Sequence, residues 1–355
     1  MGGVDMKPKI SVVVPVYNPS SAFNECLDSI ASACQDLCSQ VEVLVIDDYS
    51  NESIENIVRP YGFRLERMRQ HSGAGATRNF GAALAVGDIL LFIDCDVIVP
   101  RDSLRKVLCY FDTDPRLTAL SARPAIDNGG TGFFNAYKCI FSYNLFHRTQ
   151  KDVCYLWTSF AAVRADPFRK VGEFSTNYKY AGWEDLELGL RLASIGCKII
   201  NSDRIEVIHR HFHNFRSLIK NDWKRAADYM KLLVHQHGII RRIRSGGQSL
   251  QHHEKFALPL SVLLGAVLLF GIVSVSASIF HQIGVVCLAI TPFLALMLIL
   301  SLMGSLALAW RTYGPLFSTK CLLTSFVLSI LQSLAALVGF VGYLFNRSAG
   351  QRGNA

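Results

Sequence analysis

The chain has 355 residues, half of them hydrophobic, and a mean hydropathy of +0.27. Lysine and arginine outnumber aspartate and glutamate by 36 to 28, a net charge of +8 that suits nucleic acid, anionic lipid or phosphorylated ligands until its distribution is known. The ten cysteines form no CxxC pair and no cysteine–histidine zinc spacing, which argues against a zinc module and for a reduced, cytoplasmic setting.

The polar start MGGVDMKPK does not read as a signal peptide. It leads into Ile10-Ser-Val-Val-Val-Pro15-Val-Tyr17-Asn18, a β-branched run expected to be a buried parallel strand that ends at a loop. A helix is expected over about Ala22–Ala33, then a strand over Val41–Ile46 ending in Asp47-Asp48-Tyr49-Ser50, with Ser50 as N-cap of a further helix. Strand–helix–strand–helix order predicts a doubly wound α/β sheet, which binds ligands beyond the carboxyl ends of its strands. Asn18, Asp47 and Asp48 fall at that edge. Next comes Ser72-Gly73-Ala-Gly75-Ala-Thr-Arg78-Asn79-Phe-Gly81, a glycine-rich loop opening a helix whose N–H groups can receive a phosphate, with Arg78 in its early turns. It lacks the GxGxxG spacing of a dinucleotide fingerprint.

The run Ile89-Leu-Leu-Phe-Ile93-Asp94-Cys95-Asp96 is the strongest single feature. Alternation along an extended chain sends Asp94 and Asp96 to one side, a place for a hard divalent cation or simply two solvated carboxylates. Further on, Gly182-Trp183-Glu184-Asp185-Leu186-Glu187 opens a helix that Gly196 stops. Its acidic residues complement the positive helix end, where a carboxylate can also accept a proton from an attacking hydroxyl. His209, His211 and His213 alternate after Ile205–Ile208 and are able to share a side.

Beyond Glu254 the chain is mostly apolar. No charged residue occurs in Phe256–Phe280, Ile283–Trp310 or Cys321–Phe345, each long enough to cross a membrane, and Pro292 should kink the second run. About ten Lys/Arg lie between Arg204 and Arg244, before the first run, which places the large domain on the cytoplasmic side. Within that segment, Asn214–His237 reads as a basic amphipathic helix suited to anionic headgroups, or as an ordinary surface helix. The basic excess thus adjoins the apolar tail, and no nucleic-acid partner is expected.

Five motifs in order, SVVVPVYN (Ser11–Asn18), IDDYS (Ile46–Ser50), GATRNFG (Gly75–Gly81), FIDCD (Phe92–Asp96) and GWEDLELGLR (Gly182–Arg191), resemble the inverting glycosyltransferases of family 2. The resemblance covers about Pro8–His213 and implies the α/β GT-A fold, a Rossmann-like, mostly parallel sheet flanked by helices, here followed by an α-helical transmembrane region. The implied organisation is a catalytic domain over 1–213, a juxtamembrane segment over 214–255, about three transmembrane helices over 256–345 and a tail over 346–355. It implies that Pro15, Tyr17, Asn18 and Asp47 or Asp48 hold the base and ribose, with Gly73, Arg78, Asn79 and Asp94 completing the nucleotide-sugar site. Asp94, Asp96 and, in some relatives, the residue matching His209 would bind Mg²⁺ or Mn²⁺. Asp185 would be the general base beside Glu184, while Trp183 and Glu187 would shape the acceptor site.

The stretch matching the QxxRW signature of processive synthases reads Ile219-Lys-Asn-Asp222-Trp223-Lys-Arg, so transfer of a single sugar is the expectation over polymerisation. The apolar tail suggests a lipid-linked or glycan acceptor, received by an aromatic loop within Arg123–Thr158. A transporter is disfavoured by spans without ionisable residues, an inactive binding module by retention of Asp94, Asp96 and Asp185. A nucleotidyltransferase is disfavoured by the Glu184-Asp185 helix and the tail.

Overall fold

The computed structural model describes residues 8–37, 40–147, 152–176, 183–235, 260, 263, 264, 267, 270–274 and 281–352. They divide into two compact units, the first within 8–130 and 146–212, the second within 131–145, 213–235 and 260–352.

The first unit is built on one eight-stranded mixed sheet. Its strands are β1 (Ile10–Val16), β2 (Val41–Asp47), β3 (Arg64–Arg67), β4 (Ile89–Ile93), β5 (Val97–Ile98), β6 (Leu117–Pro124), β7 (Phe160–Arg164) and β8 (Lys198–His209), in the order β3-β2-β1-β4-β7-β6-β8-β5. The pairs β1–β2, β1–β4, β2–β3 and β6–β8 are parallel, whereas β7 runs antiparallel between β4 and β6. Reversing twice restores direction, so the carboxyl ends of β1, β2, β4, β6 and β8 all lie on one edge. This is the α/β architecture expected from the sequence.

The continuous apolar runs of β1 and β4 arise because both faces are covered. Val12, Val14, Leu91 and Ile93 join one core cluster with Leu27 and Ile30 of α1 (Ala22–Cys34) and Leu104 and Val107 of α4 (Ser103–Thr113). The other face carries α3 (Ala74–Leu84). It sits so close that a Cβ at Gly81 would overlap Val13 and Ile46, which is why a glycine occupies that helical position. Phe92 meets Phe168 of α6 (Ala165–Lys170) and Phe174, an aromatic trio with centroids 5.0–5.6 Å apart.

Ser50 caps no helix. The segment after β2 turns on its hydrogen bonds, and the next helix, α2, is only Glu55–Val58. The helix containing the acidic motif, α7, spans Glu184–Ser194, and Gly196 follows at φ 81°, the left-handed stop expected of it.

The second unit is helical. It contains most of α5 (Phe133–His147), with α8 (Phe215–His235), α9 (His281–Tyr313) and α10 (Pro315–Arg352). Most of the aromatic residues in the expected acceptor loop therefore lie on a helix. Phe133, Tyr137 and Phe141 pack in this unit with Leu218, Ala309, Cys321 and Leu328, because an aromatic stripe at helical spacing needs an apolar face to cover. Polar side chains stitch the same helices: Tyr137 Oη lies 3.0 Å from Ser325 Oγ, and Asn144 Nδ2 donates to Ser305 Oγ at 3.0 Å. Buried Asp222 meets Lys138 Nζ at 3.4 Å and Gln332 Nε2 at 3.2 Å.

Two helical stretches, Gly284–Tyr313 and Pro315–Gly339, are long and apolar enough to cross a membrane, with hydropathies of 2.7 and 2.1. α9 continues through Pro292. The turn between the two is Gly314 at φ 91°, followed by Pro315 at the first helical position, and Lys320 lies inside α10. The first apolar run, Phe256–Phe280, falls mostly outside the described residues. Where it is described, Leu264 packs with Leu294 and Leu298.

Candidate active site

The site is assembled at the carboxyl edge of the first unit. Beyond β1 and β2 the chain enters the left-handed region without glycine, at Asn18 (φ 45°) and Tyr49 (φ 66°). Asparagine tolerates this conformation; tyrosine does not without compensation. Hydrogen bonds supply it. Asn18 N donates to Ser50 Oγ at 2.9 Å, Asn51 N to Asn18 Oδ1 at 2.8 Å, and Ser50 N to Asp47 Oδ1 at 2.9 Å. Arg67 braces the same turn. It lies 3.3 Å from Asp47 Oδ2, donates to Ser50 O at 2.7 Å and sits over the Tyr49 ring at 5.0 Å.

Asp48 holds the glycine-rich loop. Its two oxygens accept from Ser72 N (2.7 Å) and Gly73 N (2.8 Å), and His71 Nδ1 lies 2.9 Å away. Gly73, at φ 88°, then starts α3. His71 in turn stacks on Tyr17 with centroids 4.0 Å apart. Asp47 and Asp48 are both buried, so their carboxylates shape the edge from behind. What the edge presents to solvent is aromatic, Tyr17 at 45% exposure and Tyr49 at 50%.

Arg78, expected in the nucleotide-sugar site, has its guanidinium engaged by two carboxylates. Arg78 is 3% exposed, with Nη2 on Asp94 Oδ1 at 2.7 Å and Nη1 on Glu184 Oε1 at 2.9 Å. Burial alone would lower its pKa; the Asp94 and Glu184 charges outweigh that and hold it above the ordinary arginine value. Glu184, 2% exposed and also accepting from Trp183 N, is a partner of Arg78. Asp94's second oxygen accepts from Ser159 Oγ at 2.9 Å. Glu187 is likewise engaged, receiving Arg191 Nε at 2.9 Å and Nη2 at 2.7 Å, while Arg191 also donates to the carbonyls of Val171 and Glu173. Asn79 exchanges hydrogen bonds with the Phe174 backbone, pinning that loop to α3. Among the acidic residues of α7's first turn, Asp185 is the one left half-buried, its Oδ1 near its neighbour's N–H. Trp183 precedes the helix at its N-cap position, and Pro15 is the half-buried residue of an otherwise buried β1.

Asp94 and Asp96 part company. β5 pairs antiparallel with the end of β8, Val97 opposite His209, and Arg210 N donates to Asp96 O at 2.7 Å. This pairing brings His209 Nε2 to 3.0 Å from Asp96 Oδ1 and His211 Nδ1 to 3.6 Å from Oδ2. The three side chains offer ligand atoms all within 4.8 Å of one another, a set able to hold a divalent cation. Burial would raise the Asp96 carboxyl, but the hydrogen bonds and charges of the two histidines hold it well below the usual carboxylate range. His211 joins His209 at the cluster, in keeping with their alternation in the sequence, a pattern equally compatible with surface histidines. Ser159 carried no sequence signal.

The site thus combines a parallel-stranded edge, two exposed tyrosines, a glycine-rich loop and a cluster able to hold a cation in one α/β domain. Residues 11–172 match the family model described as glycosyl transferase family 2. The backbone is similar to the mannosyltransferase PcManGT of Pyrobaculum calidifontis, solved with GDP-Man and Mn²⁺, at a TM-score of 0.54 and 18% identity, over 96% of this chain and 88% of that one. The chain is 26% identical over 258 residues to validoxylamine A glucosyltransferase of Streptomyces hygroscopicus subsp. jinggangensis, 62% of this chain and 61% of that protein. It is also 33% identical over 104 residues to the poly(ribitol-phosphate) beta-glucosyltransferase of Bacillus spizizenii, 28% of this chain and 16% of that protein. The chain thus spans about three-fifths of the first of these relatives. Residues 11–172 thus form a glycosyltransferase family 2 domain, and the fold is GT-A.

Proposed function

We propose that this protein transfers one sugar, with inversion, from a nucleotide-sugar to a phosphate-bearing acceptor at the cytoplasmic face of a membrane. The observation that carries the reading is the chain of contacts Glu184–Arg78–Asp94, which ties the start of α7 to the end of β4, beside the Asp96–His209–His211 cluster. Asp185 follows Glu184 in the first turn of α7, next to these contacts, which supports its role as the base.

The base stacks on the Tyr17 and Tyr49 rings, with Asn18, Asp47, Asp48 and Gly73 fixing the loops around it. Asp96, His209 and His211 would hold the cation, with Asp94 presenting its Arg78-bound carboxylate nearby; two imidazoles favour Mn²⁺ over Mg²⁺, which prefers oxygen. When bound, the cation neutralises the diphosphate as it leaves. Asp185 accepts the proton as the acceptor oxygen bonds to the anomeric carbon and the carbon–phosphate-oxygen bond breaks from the opposite side. The products are the glycosylated acceptor and a nucleoside diphosphate. A phosphate-bearing acceptor is favoured by relatives whose names specify poly(ribitol-phosphate).

The apolar helices α9 and α10 cross the membrane. α8 adds two adjacent stripes, Phe215, Ile219 and Trp223 beside Arg216, Lys220 and Lys224, which line one groove and suit anionic lipid. The test is nucleotide release from a panel of UDP-, GDP- and dTDP-sugars by the full chain in lipid extract, with and without Mn²⁺. Metal-dependent release from one donor, with label recovered on an acceptor, is the expected result. Release from none by folded protein, across several lipid extracts, would exclude it.

A further inference from the structure

One side chain at the same edge is absorbed by none of these roles. β6 ends in Ser121-Ala122-Arg123-Pro124. Leu120 and Ala122 face the core cluster that includes α1 and α4. Arg123 leaves from the opposite face, as does Ser121, whose Oγ accepts from Trp157 N at 2.8 Å. α7 packs close to the stretch that leads into Trp157, for a Cβ at Gly189 would overlap the backbone of Tyr155 and Leu156. Since β6 runs parallel to β4, Arg123 stands at the edge that holds Asp94 and Asp96, two strands along and away from the Tyr17–Tyr49 platform.

Its environment is unusual for a cation withdrawn from solvent. Across the β6–β8 ladder Arg123 is in register with Glu206, the carboxylate placed to neutralise it. Glu206 Oε2 is 3.1 Å from His147 Nε2, and Arg123 makes no hydrogen bond or ion pair among the described residues. Its Nε is buried with no partner. Arg78, Arg164, Arg191 and Arg210, the other arginines of this unit that are not exposed among the described residues, each donate to at least two acceptors. A buried guanidinium donor left unmade is costly, and its planar fork matches phosphate oxygens in pairs.

We infer that Arg123 binds the phosphate of the acceptor. This rests on the transferase reading above and deepens it by naming the residue that recognises the acceptor's charge. The donor diphosphate goes to the cation-binding cluster at β4 and β8, and the acceptor phosphate to the end of β6, so that two anions are held at one edge without sharing a counter-charge. Arg123 then selects acceptors by a group that takes no part in bond making.

The test uses the full chain in maltoside micelles, which carry no phosphate, with Arg216, Lys220 and Lys224 changed to Gln so that α8 does not compete. Inorganic phosphate and dodecyl phosphate are titrated calorimetrically with UDP present to fill the donor site, and dodecanol serves as neutral control. Arg123→Gln is expected to weaken phosphate binding at least tenfold, and Arg123→Lys to recover part of it, at an unchanged melting temperature. Equal binding by Arg123→Gln and the parent overturns the inference; so does equal binding of dodecanol. If Arg123→Gln unfolds, loss of binding in folded Arg123→Lys upholds it and full retention there overturns it. Arg123-dependent binding of both probes identifies a soluble polyol phosphate as source, and binding of dodecyl phosphate alone a lipid. UDP binding by the parent chain, measured separately, reports on the donor reading; its absence beside Arg123-dependent phosphate binding would remove that reading alone.

Discussion

Replacing Arg78 by Leu distinguishes a residue that grips substrate from one that holds the site together. The substitution leaves Glu184, 2% exposed, and Asp94 as neighbouring carboxylates without their shared cation. Removing one partner of a buried ion pair costs about 3–5 kcal/mol, and here one cation serves two anions, so the upper half of that range applies. For a domain of this size about 1 kcal/mol corresponds to roughly 2–4 °C, which puts the fall in melting temperature at roughly 8–20 °C. Removing the charge at both ends, Arg78→Leu with Glu184→Leu, leaves Asp94 with Ser159 and should destabilise by less than the two single changes added. The assay is thermal unfolding of the full chain in detergent, followed by near-ultraviolet circular dichroism, with donor KM measured on whatever remains folded. A melting temperature within about 2 °C of the parent, together with a raised donor KM, would refute the buried-bridge argument and restore Arg78 to the diphosphate.

Asp96→Asn and His211→Ala should each weaken Mn²⁺ binding by at least about tenfold, measured by electron paramagnetic resonance of free Mn²⁺, while Asp94→Asn should act mainly on stability; unchanged affinity in His211→Ala would remove it from the cluster. Asp185→Asn should abolish transfer while changing the melting temperature little, because its side chain is half-buried; near-parental turnover would remove it as the base. Tyr49→Gly relieves a φ of 66° and should leave stability level or slightly improved while nucleotide binding falls about tenfold, read by calorimetry with UDP. A drop in stability with intact UDP affinity would show that the ring serves the fold.

Much of the site was legible because its residues sit where backbone rules put them. Asp47, Asp48 and Asp94 lie at strand ends, and a strand end in a parallel sheet is an edge position whatever the rest of the chain does. The helix after Gly73 and the stop at Gly196 could be read from glycine alone, since both positions take positive φ. The alternation Asp94-Cys95-Asp96 misled: it assumes an extended chain, whereas the chain turns at Asp94, where Val97 N donates to Asp94 O at 3.1 Å, and the two carboxylates acquire different partners.

Partner choice among distant residues was beyond the sequence. Arg78 and Glu184 are 106 positions apart, and Ser159 and Asp94 are 65 apart. Nothing local distinguishes a carboxylate that will meet an arginine from one that will meet two histidines or none. The aromatic stripe of α5 was visible as a pattern, yet its burial against the apolar helices needed the second unit to form. By itself the sequence determined the strand order's raw material, the glycine turns, the apolar helices and the acidic strand ends, because these follow from local sterics and hydrophobic periodicity. The tertiary structure alone decided which charges are neutralised and which are left for a ligand, because that depends on the desolvated geometry of groups brought together only by folding.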